Sequence, residues 1–221
     1  MRYIKLMITV CVSKPFGSRS ETKTKSVDPQ KCLTKNQKEL KRAILNSKTL
    51  TFIEGPAGTG KTMLSCEYAV KLLQEDNKYE RLIMTRSLVG VNQEQIGYLP
   101  GSMLEKTAPW TDVIHNYTPQ NNYEFIPLTF MRGHTWDNAI IIADEMQNST
   151  CEQMKTLLTR VGYNTKLIIN GDSNQSDLDV FNNGLIDLKH RLADIEYFNR
   201  VDFNLIQLTS EDIKRSPFVK F

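Results

Sequence analysis

The 221-residue chain reads as an α/β domain, a parallel sheet with helices on both faces. Three observations predict it. Apolar runs of strand length alternate along the chain with segments of helical period. The run Asn138-Ala-Ile-Ile-Ile-Ala143 is continuously apolar, the pattern of a strand covered on both sides. A glycine-rich turn joins the run Leu50-Thr-Phe-Ile53 to a good helix former, in the strand–loop–helix order of a phosphate-binding unit.

In chain order, residues 1–32 read as a basic, poorly ordered leader and 33–221 as a single domain. Residues 34–46 form a helix that Thr34 can cap, with Leu40, Ile44 and Leu45 on its apolar side. The strand at 50–53, the glycine-rich turn and a helix over 63–73 follow, then a second strand, 81–85. Residues 87–127 read as an irregular insertion with a helix near 103–115 and a polar loop at 119–122. Beyond it come the strand 138–143, a helix over 151–161, a strand over 166–170 and a helix over 185–193. A strand at 204–208 and a capped helix start at Thr209-Ser-Glu-Asp212 close the pattern.

Composition narrows the function classes. At 40% hydrophobic and 24% charged, the chain is ordinary for a water-soluble domain, and no apolar run could span a bilayer. Its start resembles a signal peptide only weakly: Lys5 interrupts it and Ser13-Lys-Pro-Phe-Gly17 is no small-residue cleavage site. The cysteines, Cys11, Cys32, Cys66 and Cys151, lack paired spacing, which predicts reduced thiols and a cytoplasmic location without a membrane partner. The three histidines are scattered and do not predict a metal site. Charge is uneven. Residues 1–48 carry 12 Lys/Arg against 3 Asp/Glu, a net +9, while the remainder carries 16 against 22, a net −6. A solvated leader accounts for the basic arm, and contact with nucleic acid is the alternative.

The turn itself is Gly55, Pro56, Ala57, Gly58, Thr59, Gly60, Lys61, Thr62, which satisfies G-x-x-x-x-G-K-[ST] at every required position. The glycines let the backbone curl its N–H groups toward phosphate oxygens, and the helix that opens at about Met63 adds its unpaired N–H groups and dipole. Lys61 is expected to reach the β- and γ-phosphates and Thr62 to hold Mg²⁺. Asp144 and Glu145 close the apolar run at 138–143. Asp144 is expected at the metal, and Glu145, turned to the other side, at the water that attacks the γ-phosphate. Gln175, in the polar stretch after the next strand, is a candidate γ-phosphate sensor. Gln37, on the first helix, could read adenine through its amide, and a solvated helix glutamine is the equal alternative.

Together these stretches resemble the PhoH-like P-loop ATPases, whose core is related to superfamily 1 helicases. The resemblance runs from about residue 33 to the C-terminus. It is carried by Leu33-Thr-Lys-Asn-Gln37, the glycine-rich turn as a Walker A loop, Thr85-Arg-Ser87, Gly97-Tyr-Leu-Pro-Gly101 with Glu105-Lys106, and Pro127-Leu-Thr-Phe-Met-Arg-Gly133. Asp144-Glu-Met-Gln-Asn148, Leu158-Thr-Arg-Val-Gly162, Gly171-Asp-Ser-Asn-Gln-Ser-Asp-Leu178 and Asp212-Ile-Lys-Arg-Ser-Pro217 continue it. Ser87, Ser102, His134 and Asp179 depart from the residues usual in the family.

The resemblance implies a RecA-like P-loop NTPase fold, ATP and Mg²⁺ as ligands, and ATP hydrolysis coupled to single-stranded RNA or DNA. Tyr98, Trp110 and Tyr117 could stack on bases, with packing as the alternative. The resemblance also implies a ring of like subunits, a hexamer for instance. The chain is expected to lack the second core domain that supplies a helicase's arginine, so a neighbour must supply it; Arg160 and Arg215 are the candidates. A small-molecule kinase and a non-catalytic, nucleotide-dependent assembly switch remain the alternatives. Asn77-Lys-Tyr-Glu80 ends in Glu and precedes the second strand, so it is not a guanine-reading motif.

Overall fold

The computed structural model describes residues 33–87, 123–194 and 202–213. Six strands form one sheet: β1 (Leu50–Glu54), β2 (Arg81–Arg86), β3 (Tyr123–Phe125), β4 (Ala139–Asp144), β5 (Lys166–Gly171) and β6 (Phe203–Gln207). Their order is β3-β2-β4-β5-β1-β6, and every pairing is parallel. Helices α1 (Lys35–Leu45) and α2 (Lys61–Glu75) pack on one face, α3 (Cys151–Leu158) and α4 (Gly184–Ala193) on the other. This is the expected α/β architecture, a parallel sheet between helical layers.

Strand parity builds the two cores. Ile53, Ile140, Ile142 and Ile168 meet Leu40, Ile44, Leu64 and Tyr68 on the α1/α2 face. Phe52, Ile83, Ile141 and Ile169 meet Met154, Leu157, Leu185 and Leu188 on the other. Each such side chain, fully buried, contributes about 1.5–3 kcal/mol. All six residues of β4 and of β5 are buried, as their unbroken apolar middles predict.

The parallel register brings the strand ends to one edge. Glu54 lies beside Gly171 and Gln207, and Arg86 beside Asp144. Parity then sorts the polar ends. Asp144 and Asn170 continue the α2-facing rows of Ile142 and Ile168, whereas Glu54 continues the row of Phe52 toward α4.

Local chemistry sets the boundaries. Thr34 Oγ1 accepts from the Gln37 N–H and Gln37 Oε1 accepts from the Thr34 N–H, a capping box that starts α1. A second box, Thr150 with Gln153, starts α3.

Three expectations need correction. β3 lies inside the segment read as an irregular insertion; its three residues are too short for a periodic signal, and pairing of Tyr123–Phe125 with β2 defines it. Helix α3 ends at Leu158 rather than 161, because Trp136 donates to the Arg160 carbonyl and bridges to Val161, drawing the chain off the helix axis. At Thr209 the described residues form a single 3-10 turn, Ser210–Asp212. The helix expected near 103–115, with Tyr98, Trp110 and Tyr117, lies outside the described residues, as does Arg215.

Candidate phosphate and metal site

The glycine-rich turn joins β1 to α2 at the carboxyl edge of the sheet. Gly58 and Gly60 have φ of 82° and 88°, the left-handed backbone that curls successive N–H groups toward one point. Gly60 is the N-cap of α2, so the first N–H groups of that helix face the same point. Gly55 is required for another reason: a Cβ there would lie 2.7 Å from the Cβ and the carbonyl oxygen of Leu208. Thr59 is buried, and its hydroxyl donates to the Pro56 carbonyl at 2.8 Å, which braces the turn. Ala57 and Met63 are exposed at its rim.

Lys61 folds back over the turn, donating to the carbonyls of Gly55 at 2.6 Å and Pro56 at 3.0 Å. Burial lowers its pKa, and Asp172, Glu145, Asp144 and Glu54 oppose that shift.

Thr62 meets Asp144. The Thr62 hydroxyl lies 2.9 Å and 3.1 Å from the two carboxylate oxygens. Asp144 also accepts from Asn170 Nδ2 at 3.0 Å, and Asn170 Oδ1 accepts from Ser65 Oγ at 3.0 Å. Burial raises the Asp144 pKa and Glu145 adds to it; the Asn170 and Thr62 bonds and Arg86 pull it back. Hydroxyl and carboxylate oxygens are the hard donors Mg²⁺ prefers, so this pair fits that ion.

Glu145 has a left-handed backbone, φ 52°, rare for a long side chain. The turn directs it away from Asp144's row, and its Oε2 accepts from Gln147 Nε2 at 2.6 Å. Gln175 is exposed in the turn Ser173–Gln175, which Asp172 caps.

Gln37 is buried and bonded within the protein. Its Nε2 donates to the carbonyls of Thr59 at 2.9 Å and Asp212 at 3.1 Å. Reading adenine with that amide requires release of one of them. Arg160 sits at the opposite edge of the sheet, because its carbonyl accepts from Trp136, just ahead of β4. The six residues of β4, about 20 Å long, separate it from the phosphate turn of its own chain.

Four site residues were missed by sequence reasoning. Asn170 closes an apolar strand as Asp144 does, and that signal could have found it. Gln147 lies in the stretch Asp144-Glu-Met-Gln-Asn148, where its residue type alone assigns it no role. Glu54 is buried at the end of β1, with the Ser173 hydroxyl on Oε1 and Lys189 Nζ 2.6 Å from Oε2. Lys189 comes from α4, and no local pattern links it to Glu54.

Among the described residues, no helix is long and apolar enough to cross a membrane. A family model described as PhoH-like protein matches residues 30–221. A PhoH-like protein of Mycobacterium tuberculosis is 38% identical over 200 residues, 84% of this chain and 54% of that protein. A PhoH-like protein of Bacillus subtilis is 37% identical over 191 residues, covering 80% and 58%. The chain thus spans about half the length of these curated relatives. Among solved structures, Pif1 helicase from Candida albicans aligns with a TM-score of 0.42 at 15% identity, over 80% of this chain and 40% of that one. The family match covers most of the chain, with the phosphate turn, the strand-end acids and the sheet that joins them inside it, and the chain belongs to the PhoH-like protein family.

Proposed function

We propose that the protein is a Mg²⁺-dependent ATPase of the cytoplasm, working as a ring of like subunits on single-stranded nucleic acid, RNA in particular. The observation that carries the reading is the contact of Thr62 with Asp144, which joins the phosphate turn to the strand-end acid. Mg²⁺ held by Thr62 and Asp144 would neutralise charge on the phosphates. Lys61 exchanges its carbonyl partners for phosphate oxygens. Glu145 takes a proton from the attacking water as the water oxygen bonds to the γ-phosphorus. The bond to the bridging oxygen breaks, and ADP and inorganic phosphate leave. Gln175 contacts the γ-phosphate from the turn after β5, and Gln37 turns its amide to adenine.

Arg160 cannot reach the turn of its own chain, which suits a role in a neighbour's site, and Arg215 is the other candidate. Coupling to nucleic acid is supported by the helicase-like motifs and the basic arm of residues 1–48. The test is ATP turnover by the full chain and by Lys61→Ala, with and without single-stranded RNA and DNA. Release of phosphate by the wild type alone, stimulated by the strand, supports an ATPase coupled to nucleic acid. Binding without turnover makes the protein a nucleotide switch, and indifference to both strands removes the nucleic-acid arm.

A further inference from the structure

Gln147 is 3% exposed and stands two residues after Glu145, in the turn Met146–Asn148. Its side-chain amide is committed at both ends. Nε2 donates to Glu145 Oε2 at 2.6 Å, and Oε1 accepts from the Asp172 N–H at 3.2 Å. The partners fix the amide's orientation, since a flip would set donor against donor and oxygen against carboxylate. The main chain is held as well. The Gln147 carbonyl accepts from Ser176 Oγ and from Asn183 Nδ2, each at 2.9 Å. Asn183 in turn caps α4 through the N–H groups of Leu185 and Ile186. Gln147 is therefore pinned by the turn after β5 and by the start of α4.

We propose that Gln147 is a positioning residue that aims the Glu145 carboxylate at the attacking water and ties that aim to the turn after β5. The inference rests on the ATPase reading above. Glu145 leaves β4 in a left-handed conformation, so regular strand geometry does not direct its side chain. The Gln147 amide supplies that direction. The same amide holds the N–H of Asp172, the residue that caps the Ser173–Gln175 turn. A displacement of that turn by the γ-phosphate pulls on Gln147 and moves the carboxylate.

The test uses the full chain with Gln147→Met, which keeps the length and removes both bonds, and Gln147→Glu, which keeps the shape and removes the donor. In single-turnover experiments both are expected to slow ATP hydrolysis about ten- to a hundredfold, part of what a well-placed base contributes. Affinity for a fluorescent ATP analogue stays within about threefold, since the lost interaction acts on the water and not on substrate binding. Without nucleotide, the Asp172 amide exchanges its hydrogen faster in Gln147→Met, because its acceptor is gone. On a Glu145→Gln background, Gln147→Met has no further effect on the rate.

Hydrolysis at the wild-type rate in Gln147→Met, an unchanged Asp172 exchange rate, or an equal loss on the Glu145→Gln background each overturns the inference and leaves the ATPase reading standing. If Gln147→Met does not fold, Gln147→Glu, which keeps an acceptor for the Asp172 N–H, carries the rate, affinity and Glu145→Gln comparisons. A wild type no faster than Lys61→Ala overturns the ATPase reading, and this inference with it.

Discussion

Two lysines at opposite edges of the sheet make the same bonds for different ends. Lys61 donates to the carbonyls of Gly55 and Pro56, and Lys166 donates to those of Asn46 at 2.9 Å and Lys48 at 2.6 Å. Burial lowers the pKa of both, that of Lys166 to about 8. Their surroundings differ. Lys61 is half-buried at a rim with Asp172, Glu145, Asp144 and Glu54 around it, and of these Glu54 already has Lys189. Lys166 is 1% exposed; Lys78 lowers its pKa further and Asp202 raises it. A lysine on main-chain carbonyls is thus not by itself a ligand site. The carboxyl edge has acid in excess, which suits a divalent cation and, only through it, a phosphate chain. At the amino edge the lysine is buried, and it ties the α1–β1 connection to the start of β5.

The largest effect should come from Lys61→Ala. ATP turnover is expected to fall about 10²–10³-fold, as when one donor to a developing charge is removed. Thermal midpoint should hardly change, since the Lys61 side chain is only partly covered and its removal leaves no closed void. A large drop in midpoint would erase the distinction between the two lysines.

Lys166→Ala should do the reverse. Two partly buried carbonyls lose their donor and the space of a buried side chain opens as a void, at a cost of about 2–4 kcal/mol in urea unfolding. Nucleotide affinity should be unaffected. Asn170→Leu tests the carboxyl edge from within. It removes the bond to Asp144 and strands Ser65, with an expected loss of about 1–3 kcal/mol. It should also raise the Mg²⁺ concentration for half-maximal turnover about tenfold, as loss of a residue that orients a metal ligand does.

The amino edge has a pH signature. Lys166 gives up its proton near pH 8 in the folded protein but holds it to 10.5 when unfolded. Between pH 8 and 9 the unfolded chain therefore binds more protons, and stability rises with pH by at most about 1.4 kcal/mol per unit. The neutral amine still donates to both carbonyls. Burial holds the Cys66 thiol up at about 12 against an ordinary 9.0, which acts with the opposite sign above pH 9. Cys66 and Lys61 are unchanged in Lys166→Met, so the difference between wild type and that variant, read by urea unfolding, isolates Lys166. A flat difference between pH 8 and 9 would overturn the claim that burial depresses Lys166.

Arg160→Ala should have the smallest effect on folding, about 0.5 kcal/mol or less for a partly exposed side chain. Turnover should fall, and mixing with Lys61→Ala subunits should restore part of it, because each then supplies what the other lacks. No recovery in the mixture would leave Arg215 as the donor to test.

Much of the carboxyl edge was legible in the sequence because its signals are local. The phosphate turn is eight consecutive residues whose spacing is the chemistry. Asp144 and Glu145 stand out because charge follows an unbroken apolar run. Strand β3 was not legible, since three residues carry no period and an edge position leaves them half-covered. Nor was the end of α3, which Trp136 sets from outside the helix. Gln37 shows a further limit: its type suggests a base reader, and the fold gives the same amide two carbonyls and a capping box.

Sequence alone determined the alternation of strands and helices, the anion-binding turn and the acid pair, because each depends on neighbours a few residues apart. Tertiary structure alone decided that Thr62 meets Asp144, that Asn170 and Ser65 steady that carboxylate, that Gln147 holds Glu145 to the turn after β5, and that Arg160 lies at the far edge. The physical reason is the parallel register, which sets strand ends from distant parts of the chain side by side and leaves parity to choose the face each side chain takes.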